Sequence, residues 1–362
     1  MLLESSVALT GAITSLFWIT SVALVSPILS RLLRGAVPEV VLMLVLGAVI
    51  GPSVLALAST ESGVELVREI GLGLLFLLAG AELDIKTMRG SVGRNAWLTW
   101  LLCLGAGLGV AWLFIPDPTI NTALVLALAV TSTALGTLLP ILKDRGTLGT
   151  PLGTAVMAHG AVGELGPILV MALLLGTRST LLSALVLVAF FAAALIVALL
   201  PHRLVRLVPW LRSAISDGVD TTAQTAMRIV FWLLLALMAL ASVLELDVVL
   251  GAFAAGLLLR ALRPESAAYL ERRLEAIAFS FFVPVFFVTS GMNIDVTAVA
   301  ADPALLAILV LMILLLRGGI VWARERFTPT GSGLTEPADQ RRLGLYAATG
   351  LPIIVAVTEL AT

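Results

Sequence analysis

The chain has 362 residues, of which 60% are hydrophobic and 12% charged, with a formal net charge of −1. A soluble domain is about 45–50% apolar and about 25% charged, so this composition excludes a water-soluble enzyme, and its balance of charge gives nucleic acid nothing to bind. The single cysteine, Cys103, excludes an intrachain disulfide and a cysteine zinc cluster.

A bilayer core is crossed by roughly 20 apolar helical residues. Twelve segments read as spans: 7–30, 39–57, 66–83, 95–115, 120–142, 150–176, 180–200, 228–244, 247–262, 276–292, 303–323 and 343–362. The runs are continuously apolar and do not alternate, which excludes a membrane β-barrel. The fold class is therefore an all-α polytopic membrane protein. Glu4 precedes the first span, and no Lys or Arg comes before Arg31, unlike a secretory leader.

The connecting charges support this order of spans. Of the 22 Lys and Arg residues, nineteen fall in the loops after odd-numbered spans or at the span ends beside those loops; Arg68 and Arg178 lie on the other side and Arg317 deep inside a span. The positive-inside rule then predicts an N-terminus outside. Residues 201–227, with Pro201, Pro209, His202 and three Arg, form the longest polar connection. They divide one membrane domain into a first half (1–176), a linker helix with its cytoplasmic connection (177–227) and a second half (228–362). The twelfth span ends at Thr362 without a polar flank, which predicts a thirteenth helix returning inward.

Three spans carry signs of interruption. The fifth holds Thr131-Ser132-Thr133-Ala134-Leu135-Gly136 before Pro140. The sixth holds Gly160, Gly163, Gly166 and Pro167, and the twelfth holds Thr349-Gly350-Leu351-Pro352. Pro167 removes a hydrogen bond from the carbonyl of Gly163, next to Glu164. Irregular backbone at membrane depth is tolerated where it is buried or lines a cavity. Interrupted helices of opposite direction, one in each half, point to an inverted-repeat transporter.

Ionisable groups inside spans are functional candidates. A carboxyl at Glu164 must be protonated, paired or bound to a cation, so it can alternate between a proton and a metal cation. The hydroxyls of Thr131, Ser132 and Thr133, with carbonyls freed near Gly163, are hard oxygen ligands for an alkali cation. Each hydroxyl could instead bond to its own helix. Arg317 reads as a buried counter-charge, with snorkelling towards Arg324 as the alternative, and Glu359 is its expected partner. His159 and Glu82 are secondary candidates, the first as a buried histidine or pH sensor, the second as an interfacial carboxylate.

Four segments then resemble a known family: Leu74-Leu75-Phe76-Leu77-Leu78-Ala79-Gly80-Ala81-Glu82-Leu83-Asp84, Thr131-Ser132-Thr133-Ala134-Leu135, Leu250-Gly251-Ala252-Phe253-Ala254-Ala255-Gly256 and Phe286-Phe287-Val288-Thr289-Ser290-Gly291-Met292. In this order they are similar to the Kef-type and sodium/hydrogen exchanger branch of the monovalent cation:proton antiporter superfamily. The resemblance implies the sodium/proton antiporter fold: thirteen helices, inverted repeats, two crossed broken helices, and a core domain moving against a dimerisation domain in a homodimer. It implies antiport of H⁺ against Na⁺ or K⁺ by alternating access in the cell membrane, with no cofactor. Gly163-Glu164 stands where many members carry Asp-Asp or Asn-Asp, so Glu164 takes the role of the second acid, and Arg317 matches a basic residue of the core. One carboxyl exchanging one proton for one monovalent cation predicts electroneutral exchange. A cation-coupled organic-solute transporter on the same scaffold and a gated K⁺ efflux channel are the competing readings. Nothing in the chain resembles a carbonyl selectivity filter.

Overall fold

The computed structural model describes residues 2–34, 37–61, 63–83, 85–115, 119–174, 180–207, 219–262, 272–301 and 303–349. All regular structure among them is helical. In chain order the helices are α1 (Leu2–Leu32), α2 (Glu39–Ile50), α3 (Gly63–Glu82), α4 (Ile85–Arg89), α5 (Ser91–Phe114), α6 (Ile120–Thr131), α7 (Leu135–Asp144), α8 (Pro151–Leu174), α9 (Thr180–Leu207), α10 (Val219–Val243) and α11 (Val248–Leu262). They continue with α12 (Arg272–Met292), α13 (Val296–Ala301), α14 (Pro303–Met312), α15 (Ile320–Phe327) and α16 (Pro337–Ala347). Among the described residues, six helical stretches are long and apolar enough to cross a membrane.

The helices fall into two compact units interleaved along the chain. One comprises Met1–Ala23, Thr60–Glu82 and Ala172–Phe287, and the other comprises Leu24–Ser59, Leu83–Met171 and Val288–Thr362. In the first, α3 and α11 meet backbone to backbone. A Cβ at Gly80 would stand 2.4 Å from the Phe253 carbonyl oxygen, and one at Gly256 would stand 2.1 Å from that of Leu77. The run Leu74–Ala79 is wholly buried along this seam. Arg260 Nη1 closes the seam by donating to the Ala81 carbonyl at 2.7 Å, where the end of α3 leaves carbonyls without helical partners.

The second unit contains the interrupted fifth span. Thr119 caps α6, accepting from the Thr122 amide. The helix stops at Thr131, and Ser132 is extended (φ −67°, ψ 149°). Residues 132–134 separate α6 from α7, as the run of hydroxyl residues predicts. Pro140 lies inside α7 without breaking it.

Two expectations need correction. The sixth span is not interrupted: α8 runs unbroken through Pro167. The carbonyl that proline frees is taken up by the break in the fifth span, because Gly163 O accepts from the Thr133 amide at 3.0 Å. The second span ends at Ile50, not near residue 57. Gly51 is extended (φ −69°, ψ 174°), as a residue before proline prefers to be. The expected partner Glu359, the Gly350-Leu351-Pro352 interruption and residues 208–218 of the linker lie outside the described residues.

Periodicity did not reveal two π-helical stretches, Ala278–Phe282 within α12 and Ile313–Gly319 between α14 and α15. Beyond α15 the connection to α16 is pinned by buried polar groups. Asn95 Nδ2 on α5 donates to the Thr330 carbonyl at 2.6 Å, and Arg324 Nη2 donates to Asn95 Oδ1 at 3.0 Å. Ser332 bonds to Glu325, and Gln340 Nε2 donates to the Leu334 carbonyl at 2.9 Å.

Candidate functional site

The break at 132–134 is where the second unit gathers its polar groups. Thr131, Ser132 and Thr133 are all buried, and their hydroxyls have different fates. Thr131 Oγ1 bonds back to its own helix, to the carbonyls of Ala127 at 2.8 Å and Leu128 at 3.3 Å. Thr133 Oγ1 donates to the Ala347 carbonyl at 2.7 Å, at the end of α16. The Ser132 hydroxyl makes no hydrogen bond among the described residues. One residue further, the Ala134 amide donates to the Thr349 carbonyl at 2.7 Å. The unwound stretch of the fifth span thus meets the point where α16 has ended.

Glu164 projects from α8 and is half-buried. Its Oε2 accepts from the Leu135 amide at 2.9 Å. Leu135 is the first residue of α7, so the carboxyl stands at a helix N-terminus, where unpaired amides and the helix dipole favour negative charge. The same amide also reaches the Thr133 carbonyl at 3.1 Å. With Ala134 at φ −80° and ψ 86°, this is close to an inverse γ-turn.

Arg317 sits in the second π-helical stretch and has no exposed surface. Its guanidinium forks to three neutral acceptors: Nη2 to the His159 carbonyl at 2.8 Å, Nε to Thr133 Oγ1 at 3.2 Å, and Nη1 to Cys103 Sγ at 3.9 Å. No described carboxylate pairs with it. The side chain is buried and does not snorkel. The extra residue in a π turn shifts the register of the side chains that follow, so the reach of Arg317 could not be read from a 3.6-residue period.

Gly163 is the floor of this cluster. A Cβ there would lie 2.4 Å from Thr133 Oγ1 and 2.7 Å from Arg317 Nη2. Gly166 is similarly filled by the Trp100 ring, 2.7 Å from where its Cβ would be. Sequence reading missed Trp100; its place opposite a glycine next to Pro167 was the available signal. The Nε1 of Trp100 and the Nδ1 of His159 are buried and find no partner among the described residues. Glu82 lies in the other unit, half-buried at the end of α3 beside the carbonyl that Arg260 caps. The structure therefore brings together Thr133, Gly163, Glu164, Arg317 and the backbone of His159, with Thr131 and Ser132 alongside. No group of three or more acidic, histidine or cysteine side chains suited to a metal is found among the described residues.

Comparison with known proteins adds an independent line. Over 323 residues the chain is 25% identical to the putative Na(+)/H(+) antiporter YjbQ of Bacillus subtilis, covering 84% of this chain and 51% of that protein. It is 28% identical over 345 residues to the glutathione-regulated potassium-efflux system protein KefC of Escherichia coli, covering 91% and 52%. It thus spans about half the length of these relatives. A probable Na(+)/H(+) antiporter of Bacillus cereus, GerT, is 24% identical over 278 residues, covering 73% of this chain and 70% of its own. The fold is similar to that of the sodium proton antiporter MjNhaP1 from Methanocaldococcus jannaschii, with a TM-score of 0.62 at 20% identity over 96% of this chain and 88% of that one. The family model described as "Sodium/hydrogen exchanger, transmembrane" matches residues 20–360. With nearly the whole chain matched and an antiporter fold around the broken fifth span, this protein belongs to the transmembrane sodium/hydrogen exchanger family.

Proposed function

We propose that the protein exchanges H⁺ for a monovalent cation, Na⁺ or K⁺, across the cell membrane by alternating access, with Glu164 holding either ion in turn. The observation that carries this reading is the seat of the Glu164 carboxyl on the Leu135 amide at the start of α7. A carboxylate there is stabilised by a helix N-terminus, yet it is only half-buried and stands next to an unwound segment. The oxygens within that segment, the Ser132 hydroxyl and neighbouring carbonyls, are of the hard type that suits alkali cations. Relatives named as Na⁺/H⁺ antiporters favour Na⁺, and the resemblance to KefC favours K⁺.

Arg317 holds a permanent charge, since a guanidinium does not deprotonate in proteins. It balances charge in the core, with Glu359 as its proposed partner, and adds no proton to the cycle. One carboxyl then trades one proton for one monovalent cation, and exchange is electroneutral. The N-terminus lies outside, and the protein works as a homodimer. The test is exchange in proteoliposomes driven by a pH gradient, with Na⁺, K⁺ and Li⁺ supplied separately. Saturable, reversible exchange with at least one of them is the expected result. Its absence for all three, or single-channel current in its place, overturns the proposal.

A further inference from the structure

We infer that Thr133 is a positioning residue that aims the Leu135 amide at Glu164, and that it is not a ligand of the transported cation. The inference rests on the antiport reading for its consequence, though its geometry stands by itself. Thr133 has no exposed surface and is bonded to three separate elements. Its amide donates to Gly163 O on α8 at 3.0 Å. Its hydroxyl donates to Ala347 O at the end of α16 at 2.7 Å and accepts from Arg317 Nε at 3.2 Å. A hydroxyl has one proton and two lone pairs. Here the proton is spent on a carbonyl and one lone pair faces a guanidinium. A cation reaching for the other lone pair would meet the like charge of Arg317.

The neighbouring hydroxyls are not held in this way. Thr131 bonds only to its own helix, and Ser132 makes no described bond. What Thr133 holds in place is the turn that follows it. Leu135 N lies 3.1 Å from Thr133 O and 2.9 Å from Glu164 Oε2, so a single N–H is shared between a fixed carbonyl and the exchanging carboxyl. When Glu164 takes up a proton or turns to a cation, the Thr133 carbonyl keeps that N–H satisfied. The amide is therefore not orphaned in a buried site, where an unpaired donor is costly. Gly163 belongs to the same device. A methyl group there would run into the Thr133 hydroxyl and Arg317 Nη2 and unseat the clip without touching Glu164.

Three variants test this in proteoliposomes. Thr133→Val keeps the shape and removes the hydroxyl, and it should slow exchange roughly 10- to 100-fold, as misplacement of a reacting group does, while leaving the ratio of KM for Na⁺ to KM for Li⁺ unchanged. Thr133→Ser should restore a rate close to that of the unaltered protein, and Gly163→Ala should be slow like Thr133→Val. A Thr133→Val protein of normal rate, an altered KM ratio, or a Thr133→Ser protein as slow as Thr133→Val would each overturn the inference. Hydrogen–deuterium exchange over residues 133–138 gives a readout independent of transport. It should quicken in Thr133→Val and not in Thr133→Ser, and no difference between the two sinks the clip. If the amides respond as expected in a protein that carries no antiport, the functional reading fails and the clip stands.

Discussion

Arg317 is a full charge with no exposed surface, held among the described residues by a carbonyl, a hydroxyl and a thiol. Several charge-assisted hydrogen bonds converge on it, each worth about 1.5–3 kcal/mol. Arg317→Ala should therefore lower stability by about 2–4 kcal/mol, since it leaves a void and removes the donors to His159 O and Thr133 Oγ1. Arg317→Lys should recover only part of this, because an ammonium lacks the planar fork that reaches three acceptors. Thermal unfolding in detergent measures both, and an Arg317→Ala protein that melts with the unaltered one would contradict this picture. At this scale the residue types were readable: a lone carboxyl and a lone guanidinium in apolar runs stand out by their cost. Their contacts were not readable, because they depend on a π turn near residue 317 and on the missing Cβ of Gly163, neither of which alters the hydrophobic pattern.

Elements divide into those whose ends are written locally and those set by a neighbour. The break after Thr131 and the stop at Gly51-Pro52 come from residues at the spot. The second of these was misjudged because the apolar run continues past the proline to Leu57. Pro167 misled in the opposite way. A freed carbonyl is harmless where another chain segment supplies a donor, and the Thr133 amide does so from thirty residues upstream. The seam between α3 and α11 gives a sharp expectation. Gly256→Val would drive a side chain into the Leu77 carbonyl, 2.1 Å from the Cβ position, and overpacking of this kind costs about 1–3 kcal/mol or more. The Asn95 link makes a second one. Asn95→Ala removes the donor to Thr330 O and the acceptor for Arg324, so the α15–α16 connection should become protease-sensitive first. Limited proteolysis that cuts residues 328–336 no faster in Asn95→Ala would count against the role assigned to this network.

For the whole molecule, the hydrophobic and charge patterns carried the fold class, because a bilayer punishes polar backbone and misplaced Lys or Arg over long stretches. The split into two interleaved units was not legible, since it depends on packing between distant segments. The basic asymmetry makes orientation testable in a Cys103→Ala background. Arg145→Cys, exposed after α7, should react with an impermeant thiol reagent only from inside, and Ser53→Cys, exposed after α2, only from outside. The reverse labelling would invert the topology.

The central claim is that Glu164 alone carries the exchanged proton. It is tested most directly by measuring antiport in proteoliposomes by the unaltered protein and by Glu164→Gln, each with and without an imposed membrane potential. Glutamine keeps the shape of the side chain but has no proton to release. The account predicts exchange by the unaltered protein at a rate indifferent to the potential, and none by a folded Glu164→Gln protein. Robust exchange by Glu164→Gln, or a rate that follows the potential, would contradict it.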